Sequence, residues 1–238
     1  MSGFDILRVD RKDFINLRER RGKYVVKQYL HRWGIYDGES VFVKFRKKHN
    51  RSFEEVCAHQ FIVDEIKVFF ELKKMGTRIV FDKTEGYGIM LKWHKNLGTV
   101  KQRELMPQWV SDENLFELLK IVFYDVIIGS LDRHGNNVIV LMDLSLLTID
   151  DEDVFYDSPR TLVKFDNDIR KMMYVEYLRS RKEIFKYIDE VLKNSDKILS
   201  IVDKDIMKVE GRNFYSIIEK NLKNAHALFD KVVLDLLR

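Results

Sequence analysis

The chain has 238 residues, 45% of them hydrophobic, enough to bury a full core as one large domain or as two smaller lobes. Its 42 Lys and Arg nearly balance 38 Asp and Glu, and the resulting net charge of +4 makes a nucleic-acid binder the least favoured class. The single cysteine, Cys57, excludes an internal disulfide and a cysteine-cluster zinc site and reads as a small core residue.

In chain order, Tyr24 to Leu30 is a β-branched and aromatic run that predicts a strand, Gly34 to Glu39 holds an Asp-Gly turn signal, and Val41 to Phe45 predicts the second strand of a hairpin. A helix is predicted from Ser52, which can N-cap with Glu55 at the capping-box position, to Lys74 before Met75-Gly76. Two short strands follow, around Arg78 to Phe81 and Tyr87 to Leu91. After Trp93 the pattern turns helical. Ser111 or Asp112 caps a helix carrying Leu115, Phe116, Leu118, Leu119, Val122, Phe123, Val126 and Ile127, which ends at Gly129. Amphipathic helices are predicted around Lys182 to Leu192 and Phe214 to Leu237. A boundary near Trp93 to Val100 divides a strand-rich lobe, residues 1–95, from a helical one, residues 96–238.

The helix ending at Gly129 delivers the chain into Leu131-Asp132-Arg133-His134-Gly135-Asn136-Asn137. Phosphoryl transfer needs one carboxylate near the attacking hydroxyl and separate oxygen ligands for magnesium on the ATP phosphates. Asp132 and Asn137 are five positions apart, the interval between catalytic Asp and metal-binding Asn in protein kinases. Asp150 ends the strand-like run Leu147-Thr148-Ile149 thirteen residues beyond Asn137, room for one hairpin. The order Asp-Arg-His, with Gly129, Asp132, His134 and Asn137 matching G-x-x-D-x-H-x-x-N, resembles the loop of the atypical kinases: the phosphoinositide 3- and 4-kinases, the actin-fragmin kinase and the HipA-type bacterial kinases. The resemblance covers this loop, the following strand and its terminal Asp. It implies an α+β, bilobal, protein-kinase-like fold, with a small antiparallel sheet and a helix in the first lobe and a mostly helical second lobe. It also implies ATP and Mg²⁺ as cofactors.

On that resemblance Asp132 orients or deprotonates the acceptor hydroxyl, and Asn137 and Asp150 ligate magnesium. His134 either stabilises the transferring group or braces the loop by hydrogen bonds. Arg133 pairs with a carboxylate of the site or forms a structural salt bridge. Lys44, mid-strand between Val43 and Phe45, stands where a kinase holds the α and β phosphates; the alternative is an edge-strand lysine facing solvent. Its helix partner is expected to be Glu65, which falls on the stripe Phe61, Ile62, Glu65, Ile66, Phe69, Leu72, with Glu54, Glu55 and Glu71 as alternatives. The segment from Leu91 through Trp93 to His94 is positioned to offer backbone hydrogen bonds to adenine.

Departures from the kinase pattern leave alternatives open. Asp151-Glu152-Asp153 follows Asp150 without the usual glycine, so Asp151 or Asp153 competes for the metal, as does Asp166 after the apolar Val163 to Phe165. Asn136 competes with Asn137. The stretch Arg18 to Lys23 has one glycine and four cations in place of a glycine-rich loop. The expected activity is transfer of the γ-phosphoryl of Mg-ATP to protein Ser/Thr, including the chain's own Ser158. A lipid or small-molecule kinase and a nucleotide-binding pseudokinase or scaffold are the alternatives. No apolar run reaches the ~20 residues of a membrane span, so no membrane insertion and a cytoplasmic protein are expected.

Overall fold

Six strands, β1 (Ile6–Val9), β2 (Ile15–Glu19), β3 (Tyr29–Tyr36), β4 (Glu39–Arg46), β5 (Arg78–Asp82) and β6 (Gly86–Lys92), form one sheet in the order β1-β5-β6-β4-β3-β2. All pair antiparallel except β1, which runs parallel to β5. The computed structural model describes residues 5–19, 29–46, 53–103, 110–130, 133–149, 165–202, 208–209 and 212–235. The chain divides into two compact units, Met1–Asp64 with Lys74–His94, and Glu65–Lys73 with Lys95–Arg238.

In the first unit, β1 and β2 lie at opposite edges of the sheet although only Asp10 to Phe14 join them. Laid flat, five inter-strand gaps would span about 24 Å. The step from Val9 to Ile15 reaches at most about 21 Å when fully extended. The 3-10 turn at Arg11–Asp13, closed by a capping box between Asp10 and Asp13, shortens it further. The sheet therefore curls. Val9, Phe14, Val41, Val43, Phe45, Val80 and Met90 fill one of its faces as a single cluster. The other face carries Ile79 and Ile89, packed with the fully buried Cys57 of helix α1 (Phe53–Ile66).

The β3–β4 turn is Asp37-Gly38, both with positive φ (50° and 77°), the two-residue geometry that the Asp-Gly signal predicts. With the turn confined to two residues, Gly34, Ile35 and Tyr36 belong to β3 rather than to a turn. Tyr24 to Gln28, expected as strand, lie outside the described residues. Helix α1 also ends before the expected Lys74: a 3-10 turn at Lys67–Phe70 follows, and Glu71, at φ 53°, stops it.

In the second unit, α2 (Val100–Arg103) precedes α3 (Asp112–Ile128), which is capped by the Ser111 hydroxyl accepting from the Asn114 amide at 3.2 Å and is closed by Gly129 at φ 62°. Both ends agree with the sequence reading. Leu118, Leu119, Val122, Phe123, Val126 and Ile127 are all fully buried, so α3 is the core of this unit. The helices α4 (Asn167–Arg179), α5 (Arg181–Leu192), α6 (Ser195–Ile201), α7 (Phe214–Lys223) and α8 (Ala225–Asp235) complete it, with α4, α5, α7 and α8 packed on α3. The expected single helix from Phe214 is broken at Asn224 into α7 and α8. A small sheet of β7 (Asn96–Thr99), β8 (Val138–Leu141) and β9 (Leu146–Thr148) includes the hairpin for which the sequence leaves room. A short hairpin, β10 (Lys208–Val209) and β11 (Arg212–Asn213), precedes α7. Among the described residues no helix is long and apolar enough to cross a membrane.

Two positions test this packing. A Cβ on Gly88 would lie 2.6 Å from the Phe45 ring and 3.0 Å from the Lys44 carbonyl oxygen, and the backbone cannot swing away. Gly88→Ala is expected to cost about 1–3 kcal/mol in chemical denaturation; an unchanged midpoint would mean that the curled sheet is looser than described. On α3, the Leu146 amide donates to Glu117 Oε2 at 3.2 Å, and burial pushes the Glu117 carboxyl up, only partly offset by Lys73 and Lys120. A raised folded-state pKa means stability that is present at low pH and lost as pH rises through that value. Glu117→Gln, which keeps an acceptor for Leu146, is therefore expected to raise Tm at about pH 8 and to lose that advantage near pH 4; a lower Tm at both would show the carboxylate to be favourably paired.

Candidate active site

Asp125 sits inside the apolar face of α3, flanked by Tyr124 and Val126, with no exposed surface. A carboxylate in such a place must be paired. Its partner is Arg133, itself 1% exposed: Nε donates to Oδ1 at 3.2 Å and Oδ2 at 2.9 Å, and Nη2 donates to Oδ1 at 2.8 Å. The remaining nitrogen, Nη1, donates to the carbonyls of Asn137 and Ile149, both at 3.2 Å. One guanidinium thus ties together the end of α3, the Asp-Arg-His loop and the last described residue before Asp150. Arg133 is the structural salt bridge of the two readings.

The loop is shaped by its own short-range bonds. His134 caps a 3-10 turn at Gly135–Asn137, its Nδ1 accepting from the Asn136 amide at 3.2 Å while the Asn137 amide donates to the His134 carbonyl at 2.8 Å. With Nδ1 as acceptor, the neutral imidazole carries its proton on Nε2. Gly135 lies against α2: a Cβ there would come within 3.1 Å of Lys101 Cβ and N. Asn137 is 7% exposed and joined to the next strand, the Ile149 amide donating to its carbonyl at 2.9 Å, whereas Asn136 is exposed. Below the same strand the fully buried Lys67 donates to the Thr148 carbonyl at 3.3 Å and faces the Tyr124 ring at 6.0 Å.

In the first unit, Lys44 is 6% exposed on β4, an interior strand between β6 and β3, so the edge-lysine alternative does not hold. It shares its sheet face with Phe42 and with Ile89 and Leu91 of β6, the face on which Cys57 of α1 packs. Leu91 is buried. The Trp93 amide donates to the Ser40 carbonyl at 2.8 Å and the Lys92 amide to the Met75 carbonyl at 3.1 Å. Those two amides of the segment expected to meet adenine donate to the protein's own backbone. The Trp93 ring remains 41% exposed.

Of the expected site residues, the structure brings His134 and Asn137 into one turn and places Lys44 and Leu91 on one sheet face. Asp132 and Asp150 lie outside the described residues, as do Asp151, Asp153 and the basic stretch Arg20 to Lys23. Asp166 caps α4, accepting from the Asp168 amide at 3.0 Å. Glu65 is half-buried on the last turn of α1. The deeply buried carboxylate of that helix is its neighbour Asp64, which accepts from the Met75 and Thr77 amides at 2.7 and 2.9 Å and fixes the entry to β5. Asp125, Asp64 and Lys67 escaped the sequence reading. Their signal was a charge inside an apolar run.

No protein-family model matches the chain, and no curated protein matches it in sequence. Among solved structures it is similar to that of a Helicobacter pylori proinflammatory kinase, CtkA, with a TM-score of 0.59 and 14% sequence identity over 94% of this chain and 99% of that one. At that identity the likeness establishes the fold: α+β and kinase-like.

The Arg133 arrangement carries a quantitative expectation. Arg133→Met leaves Asp125 buried without its counter-charge, and denaturation should show a loss of about 3–5 kcal/mol. Replacing both partners, as Asp125→Leu with Arg133→Met, should recover much of that loss; a single substitution costing under about 1 kcal/mol would mean that water reaches the pair.

Proposed function

We propose that the protein is an ATP-dependent phosphotransferase of the atypical-kinase type, with a loop like that of the HipA-type and actin-fragmin kinases, moving the γ-phosphoryl of Mg-ATP to a Ser or Thr hydroxyl of a protein. The observation that carries the reading is the double grip of Arg133 on the carbonyls of Asn137 and Ile149. Together with the bond from the Ile149 amide to the Asn137 carbonyl, it holds the loop beside the strand whose next residue is Asp150. The kinase-like fold and the buried Lys44 support it from independent directions.

The donor set fits magnesium: an Asn amide oxygen and an Asp carboxylate are hard ligands on two adjoining segments. Asn137 and Asp150 would hold the ion, which when bound supplies positive charge against the phosphate oxygens. Lys44 orients the non-transferred phosphates, and Glu65 is its assigned counter-charge. Asp132 takes the proton of the acceptor hydroxyl as its oxygen bonds the γ-phosphorus; the bond from that phosphorus to the β,γ-bridging oxygen breaks, and ADP leaves with the electron pair. His134, braced through Nδ1, presents Nε2–H as a donor to the transferring group.

Calorimetry with ATP, with and without Mg²⁺, on the wild type and on Asp150→Ala tests the site, and radiolabel transfer to protein tests the chemistry. Magnesium should enhance binding in the wild type only, and Asp132→Ala should lower transfer by about 10²- to 10⁴-fold while still binding nucleotide. A folded wild type that binds no nucleotide, or an Asp132→Ala protein with undiminished product, would sink the reading.

A further inference from the structure

We infer that the nucleotide site is permissive for the base: the aromatic cluster of Trp33, Phe42 and Trp93 holds it by stacking, so that GTP is accepted alongside ATP. This rests on the phosphotransferase reading and specifies its nucleotide.

Trp33 of β3 and Phe42 of β4 are direct cross-strand neighbours with ring centroids 4.8 Å apart, and the Trp93 ring meets Trp33 edge-on at 4.1 Å and 85°. Trp33 and Phe42 are half-buried and Trp93 is 41% exposed, so the cluster keeps aromatic surface open to solvent after its internal contacts are made. A large aromatic patch at the end of a sheet is a surface that a flat ring can cover. Its location selects which ring. Phe42 and Lys44 are two residues apart on one strand and project from the same face, a separation of about 7 Å. That is the kind of spacing a ribose sets between a base and its first phosphates, so a nucleotide whose phosphates reach Lys44 lays its base on Phe42 and its neighbours.

Telling adenine from guanine needs something that reads the base edge, since the two purines present the same π-face and differ in their donors and acceptors. Sites that discriminate strongly do so by hydrogen bonds that the wrong ligand leaves unmade. Here the Lys92 and Trp93 amides, at the end of β6, are spent on the Met75 and Ser40 carbonyls. What the cluster itself offers is stacking, and stacking tolerates base identity because every base has a π-face.

The test is a titration of the full chain with non-hydrolysable ATP, GTP and CTP analogues in Mg²⁺, followed by calorimetry and by quenching of tryptophan emission, on the wild type, Trp93→Ala and Trp93→Phe. ATP and GTP analogues should bind within about threefold of each other, with the smaller cytosine weaker. Trp93→Ala should weaken both purines equally, by about 5- to 100-fold, and Trp93→Phe should restore most of the loss. A GTP analogue bound more than about 30-fold weaker than the ATP analogue overturns the inference and leaves the kinase reading standing. So does unchanged affinity in Trp93→Ala. If no nucleotide binds the folded wild type, both fall together.

Discussion

The buried pair of Arg133 and Asp125 is the interaction on which the loop depends. Taking both charges out of water is costly, and such a pair contributes little net stability compared with apolar residues of the same volume. What it contributes is position. A guanidinium offers five hydrogens in a rigid plane, and here the edge bearing Nε and Nη2 is locked onto Asp125 while Nη1 reaches two carbonyls that belong to different segments. A lysine could pair with Asp125 but could not fix both carbonyls in one plane. The anchor itself is firm because α3 is buried from Ile121 to Ile128 and three of its last carbonyls are satisfied, by the Ser130 amide donating to the Asp125 carbonyl and by Asn221 Nδ2 donating to those of Val126 and Ile127.

The first unit is governed by a different constraint, the short path from β1 to β2. Because the sheet has to curl, one face closes over its own apolar cluster and the other is left for α1. Lys44 and Phe42 fall on that second face by the simple alternation of a strand, while Val41, Val43 and Phe45 go inside. Gly88 belongs to the same arrangement: opposite Phe45, it leaves room for the ring to lie across the strand. Which face carries Lys44 is thus a consequence of how the apolar residues are packed.

Much of this was legible in the sequence where local physics decides. The Asp37-Gly38 turn, the capped ends of α3 and the hairpin after Asn137 follow from turn chemistry, capping and apolar periodicity, which act over a few residues. The end of α1 was not, because periodicity continues through Phe69 and Leu72 while the backbone changes to a 3-10 turn and then to the left-handed Glu71. Nor was the division of α7 from α8, where the apolar stripe runs on past the break at Asn224. For the candidate site the sequence offers a motif but not the geometry that holds it. Spacing proposes Asp132, Asn137 and Asp150 as a set, but the partners that hold the loop, Asp125 and Lys67, lie 8 and 81 residues from the groups they contact, and no local rule reaches that far.

Lys67 and Arg133 together hold the strand that precedes Asp150. Lys67 donates to the carbonyl of Thr148 and Arg133 to that of Ile149. Successive carbonyls along a strand point to opposite sides, so two buried cations grip consecutive residues from both edges. The strand end can neither rotate nor slide without breaking a charge-assisted bond in a dry environment, where such bonds are strongest. Ile149, the last described residue before Asp150, is thus held at its amide by the Asn137 carbonyl and at its own carbonyl by Arg133. Geometry set in advance, at the cost of two buried charges, is what the proposed phosphoryl transfer would require, since groups that are already aimed need no reorganisation when charge develops.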